Sequence, residues 1–264
     1  MTAEVETSRW IPRRRIRFAV GLSLAFALAG VVGNLWSPIA LALLLPALGA
    51  AWTAFVMLRI GRQLSPGGGG FERRIHELVV QRLSLSSDAR VGVLDIGCGD
   101  ASLLIALLAH APAVNATGVD LWGANWDYAK AACEARLARL GLRATFRRMD
   151  AARLDFPDAS FDAVVSVMCF HEVRAPRGAT MRGPLVALGE ALRVLRSGGV
   201  FVFVDRFADT ADYGDAAGLA AVLRPTSELR RESLVTTLGV PWPLRSKRAL
   251  GPVDILSGRK SKSG

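Results

Sequence analysis

Val93-Leu94-Asp95-Ile96-Gly97-Cys98-Gly99-Asp100-Ala101 is the stretch of sequence that decides the fold. Its first four residues are typical of a short buried strand. The two glycines indicate a tight turn in which a ligand could reach the backbone N–H groups without meeting a Cβ atom. Residues 102–110 then have the pattern of a helix. A strand that passes through a glycine turn into a helix indicates an α/β sheet.

Helix and strand patterns alternate around this stretch from residue 71 onward. An amphipathic helix is predicted at 71–83, and a closing antiparallel pair is predicted from two short apolar pieces near the C-terminus, 244–250 and 253–257. The other predicted strands are 91–96, 117–120, 144–149, 161–168 and 200–205, and the other predicted helices are 102–110, 125–140 and 182–195. We therefore expect a doubly wound, mostly parallel seven-stranded α/β sheet, with ligands bound at the carboxyl ends of its strands.

The N-terminal part of the chain has a different composition. Residues 18–58 form a run of 41 residues without a charged side chain, about twice the ~20 residues that one membrane-spanning helix needs. Asn34, Ser37 and Pro38 favour a turn in the middle of the run, so we predict a transmembrane hairpin with spans at 18–35 and 39–58. A buried soluble hairpin and a re-entrant pair are the alternatives. The run is too long for a secretory signal.

Arginines flank the apolar run at both ends, which favours a cytoplasmic location for both ends of the hairpin. Four consecutive glycines then separate the hairpin from the alternating pattern. We predict a basic N-terminus at 1–17, the hairpin at 18–60, a glycine-rich linker at 61–70 and the α/β domain at 71–264. The protein is thus expected in the cytoplasmic membrane, with its α/β domain in the cytoplasm.

The overall charge does not by itself identify a partner. The chain has 33 Lys and Arg against 23 Asp and Glu, a net charge of +10. No stretch interleaves basic and aromatic side chains as a nucleic-acid surface would, so we expect no nucleic-acid partner. The three cysteines, Cys98, Cys133 and Cys169, have no metal-ligand spacing, and we expect reduced thiols and no metal site.

Acidic residues close three of the predicted strands. Asp95 precedes the first glycine by two residues, Asp120 ends the second strand, and Asp150 ends the third. Asp120 is placed to accept hydrogen bonds from ribose hydroxyls, and Asp150 from an adenine amino group. A dinucleotide fingerprint requires a third glycine where this chain has Ser102. Each aspartate taken singly is equally well explained as a helix cap.

The ordered set of motifs resembles the class I S-adenosylmethionine-dependent methyltransferases, and membrane-tethered bacterial members look most similar. The motifs that carry the resemblance are 93–99, Gly118-Val119-Asp120-Leu121-Trp122, Met149-Asp150-Ala151, 156–164 and 192–199. These five motifs occur in order, and the resemblance extends over roughly residues 71–260. One departure is Ala101, which stands where the family usually has a third glycine.

The resemblance implies a set of cofactor contacts for S-adenosylmethionine. Gly97, Cys98 and Gly99 would pass beneath the methionine part, with Asp95 beside it. Asp120 would hold the ribose, and Leu121 or Trp122 would pack on the adenine face. Asp150 with Ala151 would bind the adenine edge. Cys169 and Phe170 would border the methionine part.

His171 and Glu172 are the candidate catalytic residues, because they follow the fourth strand at the edge that would face the methyl group. A hydrogen-bonded structural histidine is the alternative for His171. The sequence therefore predicts a membrane-anchored S-adenosylmethionine-dependent methyltransferase with a small or lipid-like acceptor. An NAD(P)-dependent oxidoreductase and a non-catalytic, membrane-tethered cofactor-binding protein remain as alternatives.

Overall fold

The structure is a computed structural model that describes residues 13–123 and 129–262. The chain forms two compact units. The first holds the residues up to Glu72 together with Trp242–Leu244, and the second holds the rest of the described chain.

Two helices of equal length dominate the first unit. Helix α1 is Arg13–Gly33 and helix α2 is Leu44–Leu64, with a turn and a 3-10 helix, Pro38–Leu43, between them. By length and composition both are able to cross a membrane, with mean hydropathy 1.9 in α1 and 2.1 in the segment that contains α2. The predicted turn is confirmed. Both helices extend beyond the predicted spans at their outer ends, because the flanking arginines are good helix formers.

Small residues line the contact between α1 and α2. Ala19, Ala47 and Ala54 are buried, and the Ser23 hydroxyl donates a hydrogen bond to the Ala47 carbonyl at 2.9 Å. The large apolar side chains point outward instead. Those that are at least half exposed are Phe18, Leu24, Leu28, Val31, Leu35, Trp36, Ile39, Leu45, Leu48, Trp52 and Leu58. An apolar surface of this extent is unusual for a unit surrounded by water.

The second unit is built on one seven-stranded sheet. Its strands are β1 (Gly92–Ile96), β2 (Asn115–Asp120), β3 (Thr145–Arg148), β4 (Phe161–Val167), β5 (Leu195–Asp205), β6 (Thr226–Ser233) and β7 (Asp254–Lys260). They lie in the order β3-β2-β1-β4-β5-β7-β6, with β1 to β5 parallel and β7 antiparallel to both of its neighbours. The predicted doubly wound, mostly parallel sheet is therefore confirmed.

One helix precedes the sheet, and the others connect its strands. They are α3 (Phe71–Leu83), α4 (Ser102–His110), α5 (Lys130–Arg139), α6 (Gly183–Val194), α7 (Thr210–Tyr213), α8 (Ala216–Leu223) and α9 (Leu234–Leu238). The predicted bounds of α3 and α4 are correct. The predicted start of the helix at 125 lies outside the described residues. The core lies between the sheet and α6, where Leu188 packs with Phe170 and Phe203 among other buried residues.

Of the two predicted closing strands, only the second is present, as β7; the first is wrong. Residues 244–250 form turns, and the partner of the last strand is β6, which precedes them. The sequence did not reveal β6 because most of its side chains are exposed and several are charged, as is common in edge strands. Strand β5 also begins earlier than predicted, at Leu195, because the Gly198-Gly199 turn is accommodated by a register shift against β4.

A left-handed turn at the end of β1 brings two parts of the second unit into close contact. Gly97 has a φ of +74°, and a Cβ atom on it would lie 2.3 Å from the Cβ of Cys169. Gly141 is also left-handed, with a φ of +69°, but has no atom within 4 Å of its Cβ position. A residue with a Cβ atom would therefore be strained at either position, but it would clash with a neighbouring side chain only at Gly97.

Replacing each glycine with alanine separates these two effects. We expect Gly141→Ala to lower the melting midpoint by about 2–6 °C, because left-handed backbone costs about 1–2 kcal/mol in a residue with a Cβ. Gly97→Ala adds the clash with Cys169, worth about 1–3 kcal/mol more, so its midpoint should fall by about 4–15 °C. Thermal unfolding of the full chain in detergent measures both. Equal shifts would contradict the close packing of Cys169 on Gly97.

Candidate functional site

The glycine turn between β1 and α4 is fixed by the neighbouring strand β2. The N–H groups of Gly97 and Cys98 donate to the Val119 carbonyl at 2.8 and 3.1 Å. The Gly99 N–H donates to an Asp120 carboxylate oxygen at 3.0 Å. The turn and the end of β2 thus form one rigid surface at the carboxyl edge of the sheet.

Non-glycine residues in left-handed conformation concentrate at this edge. Ala101, Trp122 and Met168 have φ of 67°, 44° and 56°, and they follow β1, β2 and β4 respectively. Ala101 stands where the methyltransferases that this chain resembles usually have glycine. Its left-handed conformation explains why glycine is preferred at this position. Strain of this kind is typical of functional sites, where surrounding packing holds the backbone in place.

Asp95 lies beneath the turn and is almost completely buried. Its Oδ2 atom has no hydrogen-bond partner among the described residues. Burial raises the pKa of Asp95 well above its usual range, and the nearby charges of Asp120 and Asp100 raise it further. Burial and the two neighbouring acids favour the neutral form of Asp95, so its ionised form would be stabilised by a cation placed beside it.

The start of α4 is already occupied by an acidic side chain. Asp100 accepts a hydrogen bond from the Ser102 N–H at 3.1 Å and forms an ion pair with Arg136 at 2.9 Å. Arg136 also donates to the Ser102 hydroxyl at 2.8 Å. A pyrophosphate bound in the dinucleotide manner would need this helix N-terminus for itself. The carboxylate of Asp100 therefore disfavours a dinucleotide here.

Asp120 organises the loop that follows β2. One carboxylate oxygen accepts from Gly99 N–H, and the other accepts from Trp122 N–H at 2.7 Å. The Trp122 indole N–H donates to the Gly99 carbonyl at 2.9 Å, and its ring meets Phe146 edge to face. Leu121, in contrast, is about half exposed. Of the two residues predicted to pack on an adenine, Leu121 is the accessible one and Trp122 braces the turn.

The loop after β3 is joined to the same edge. Met149 N–H donates to the Asp120 carbonyl at 3.1 Å. The Asp150 carboxylate is exposed and accepts from the Ala152 N–H at 2.9 Å, while Ala151 is buried beneath it. The structure therefore brings the loops of Asp120 and Asp150 together, as the sequence predicted for two neighbouring strands.

The segment after β4 lies on the other side of the turn. Cys169 packs on Gly97, but Phe170 is completely buried and meets the Phe203 ring edge to face, 5.2 Å between centroids. The Phe170 side chain therefore supports this segment from the core and does not line an open surface. Burial raises the pKa of the Cys98 and Cys169 thiols, and it raises that of Cys133 to about 11. The three cysteines are free thiols, as predicted.

His171 and Asp205 meet at the ends of β4 and β5. The His171 Nδ1 atom lies 2.8 Å from an Asp205 carboxylate oxygen, and Asp205 is buried while Glu172 is exposed. Burial alone lowers the pKa of His171. The hydrogen bond to Asp205 and the charges of Asp205 and Glu172 outweigh this effect and raise the pKa of His171 above its ordinary value.

Asp205 was not predicted as the partner of His171. The nearest basic residue along the chain is Arg206, which directly follows it. The Arg206 side chain instead forms ion pairs with Asp209 and Asp212. The pair of His171 and Asp205 could have been expected from the predicted strands. Both β4 and β5 were predicted, and adjacent parallel strands end at the same edge of the sheet.

The chain is similar in sequence to known methyltransferases. A family model described as a methyltransferase domain matches residues 94–203. The chain is 34% identical to the phosphatidylethanolamine N-methyltransferase of Cereibacter sphaeroides over 152 residues, 56% of this chain and 65% of that protein. It is 33% identical to the demethylmenaquinone methyltransferase of Thermus thermophilus over 113 residues, 43% of this chain and 46% of that protein. The match thus spans less than two thirds of either relative.

Solved structures share the fold. The geranyl diphosphate C-methyltransferase of Streptomyces coelicolor, in complex with geranyl diphosphate and S-adenosyl-L-homocysteine, superimposes with a TM-score of 0.54 at 12% identity. The superposition covers 72% of this chain and 79% of that one. The α/β domain of this chain therefore has the fold of these methyltransferases, and its residues 94–203 match a methyltransferase domain.

Proposed function

We propose that the chain is a membrane-anchored, S-adenosylmethionine-dependent methyltransferase with a small or lipid-like acceptor. The observation that carries the cofactor assignment is the buried, unpartnered oxygen of Asp95 beside the glycine turn. The amino group of the methionine part and the sulfonium are both cationic, so either gains from a carboxylate placed there. The acidic surroundings suit this cofactor better than the pyrophosphate of NAD.

The residues of the carboxyl edge fit the parts of the cofactor in order. Gly97, Cys98 and Gly99 would pass beneath the methionine part, and Cys169 would border it. Asp120 has its carboxylate at the turn, where it would accept from the ribose hydroxyls. Leu121 would cover the adenine face, and Asp150 with Ala151 would bind the adenine edge. When bound, the cofactor supplies an electrophilic methyl group, so the protein contributes mainly alignment.

We assign the proton acceptor of the reaction to His171. Its ring retains 15% of its side-chain accessibility, so it is partly open at the edge where the sheet binds ligands. A pKa above the ordinary histidine value suits removal of a proton from an amine or hydroxyl acceptor near neutral pH. The exposed Glu172 acts on this histidine through its charge.

Two observations favour a lipid-like acceptor. The two curated relatives are named for phosphatidylethanolamine and demethylmenaquinone, which are both membrane-dissolved compounds. The hairpin of this chain exposes many large apolar side chains, which a bilayer would cover. Arginines at both outer ends of the hairpin favour a cytoplasmic α/β domain.

Calorimetric titration of the full chain in detergent tests the cofactor assignment. We expect S-adenosylmethionine to bind and NAD not to bind. Asp120→Asn should weaken binding about 10- to 100-fold, because an amide replaces a charged acceptor of ribose hydrogen bonds. Asp155→Asn is the matched control, since this carboxylate is 89% exposed and pairs with Arg147 at the surface. Binding of NAD without S-adenosylmethionine would support the oxidoreductase alternative.

Transfer of a labelled methyl group tests catalysis and the acceptor class. The full chain in vesicles should release S-adenosylhomocysteine only when the vesicles contain an acceptor. We expect label in the lipid fraction with vesicles that contain phosphatidylethanolamine or a demethylated hydroquinone, and none with phosphatidylcholine alone, which has no N–H group to be methylated. Cofactor binding without transfer to lipid extract or to water-soluble small molecules would support the non-catalytic alternative.

Membrane extraction tests the anchor. We expect the full chain to stay in the membrane pellet at alkaline pH and high salt and to require detergent for release, because two apolar helices hold it by burial rather than by charge. Replacing Leu24, Leu28, Leu45 and Leu48 with glutamate should move the chain out of the pellet, since a charge at the centre of a span costs about 2.5–3.5 kcal/mol. Release of the unaltered chain by salt would contradict insertion.

A further inference from the structure

The ends of β4 and β5 bring a buried carboxylate against a histidine ring. Parallel pairing places Val167 beside Val204, so the residues that follow the two strands emerge next to each other. Asp205 is 1% exposed, and its Oδ1 atom lies 2.8 Å from His171 Nδ1. The backbone N–H of His171 is 3.4 Å from the second oxygen, Oδ2. The carboxylate therefore contacts both the ring and the backbone of the same histidine.

Asp205 itself is held in place from its own strand and from α7. The Arg206 N–H donates to Oδ1 at 2.6 Å. Tyr213, at the end of α7, is buried and packs on Phe207 with 4.9 Å between ring centroids. Burial raises the pKa of the Tyr213 hydroxyl, and the charge of Asp205 raises it further.

The side chain of Arg206, the residue after Asp205, forms ion pairs with other carboxylates. The Arg206 guanidinium pairs with Asp209 and with Asp212, and Asp209 also caps α7 by accepting from the Ala211 N–H at 3.0 Å. Asp205 is therefore not neutralised by the arginine that follows it in the sequence. A buried carboxylate without a guanidinium partner interacts strongly with a ring N–H, because the local dielectric is low.

This arrangement determines which ring nitrogen carries the proton. An ionised carboxylate only accepts hydrogen bonds, so Nδ1 must be the protonated nitrogen and Nε2 keeps its lone pair. The described residues give Nε2 no hydrogen-bond partner, and the ring is partly open to solvent. The free lone pair is thus the one available to a ligand.

We propose that Asp205 is a positioning residue for methyl transfer: it holds His171 by Nδ1 and so makes Nε2 the atom that accepts the proton of the methyl acceptor. This inference rests on the proposed function, in which His171 is the proton acceptor. It also specifies the acceptor class, because such an acceptor must carry an ionisable N–H or O–H group. An amine headgroup and a hydroquinone ring both satisfy this requirement.

The lone pair of the acceptor nitrogen or oxygen forms the new bond to the methyl carbon. With a hydroquinone that is methylated on carbon, loss of the hydroxyl proton activates the ring carbon, which forms this bond instead. The hydrogen on that carbon then leaves as a proton to water, the ring oxygen takes up a proton, and the ring is aromatic again. The electron pair of the broken carbon–sulfur bond stays on sulfur, which becomes a neutral thioether. The acceptor proton moves to Nε2 of His171. Asp205 remains ionised and stabilises the imidazolium until its proton passes to water.

The kinetic test uses Asp205→Asn in the full chain. We expect kcat for methyl transfer to fall about 10²- to 10⁴-fold, with KM for the cofactor within about 3-fold of the unaltered chain. The acidic limb of the pH profile should move to lower pH, because the ring loses the carboxylate and keeps Glu172 and Arg206 as its charged neighbours, with Asp212 and the neutral Tyr213 further away. Asp205→Glu should recover part of the rate.

Two further variants separate positioning from structural support. Asp254→Asn is the matched control, since Asp254 lies opposite Asp205 in the β5–β7 pair but binds Arg231 at 2.7 Å. Its rate should stay within about 2-fold. His171→Gln combined with Asp205→Asn should be no slower than His171→Gln alone, because Asp205 acts through His171. A further loss of about 10-fold in the double variant would overturn the proposal.

Nitrogen NMR of the histidine rings gives a readout that is independent of turnover. The chain has three histidines, so selective labelling resolves them. We expect His171 to be the Nδ1–H tautomer in the unaltered chain and to lose that preference in Asp205→Asn. An Nε2–H tautomer in the unaltered chain would overturn the positioning role. Absence of methyl transfer to every acceptor, with the Nδ1–H tautomer present, would instead overturn the proposed function.

Discussion

The close approach of Cys169 to Gly97 is the constraint on which the rest of the site depends. The cysteine side chain fills the space that any Cβ on Gly97 would need, so the segments after β1 and β4 touch directly. The turn is held from the other side by Val119 and Asp120. Three neighbouring strand ends are thereby locked together without a side chain in the turn itself. A ligand at this edge would meet backbone groups and carboxylates.

The edge carries two different electrostatic environments. On the side of β1 and β2, Asp95 and Asp120 make the surroundings acidic, and Arg136 forms an ion pair with Asp100. This side favours a cation. On the side of β5, a single buried carboxylate is matched to a histidine ring. In the function proposed above, binding of a cationic methyl donor and removal of an acceptor proton would take place at different strand ends.

Much of the fold and half of the site follow from local patterns. The buried strands, the α4 helix and the two long apolar helices were predictable because their periodicity or length is visible within a few residues. Asp120 and Asp150 were predictable because each directly ends such a strand. The exposed edge strand β6 was missed because its charged side chains conceal the strand pattern. Leu244 and Leu250 were wrongly predicted to lie in a strand, because they are apolar residues that are buried in turns and not in the sheet.

The sequence by itself determined the class of the sheet, the apolar hairpin and the acids at the strand ends, because each depends on residues that are neighbours along the chain. The tertiary structure alone decided that Asp205 binds His171, from which it is separated by 34 positions, and not the adjacent Arg206. It also decided that Phe170 faces the core and that Trp122 braces the glycine turn. These outcomes depend on which strands lie side by side and on the burial that results, and neither is written in a local pattern.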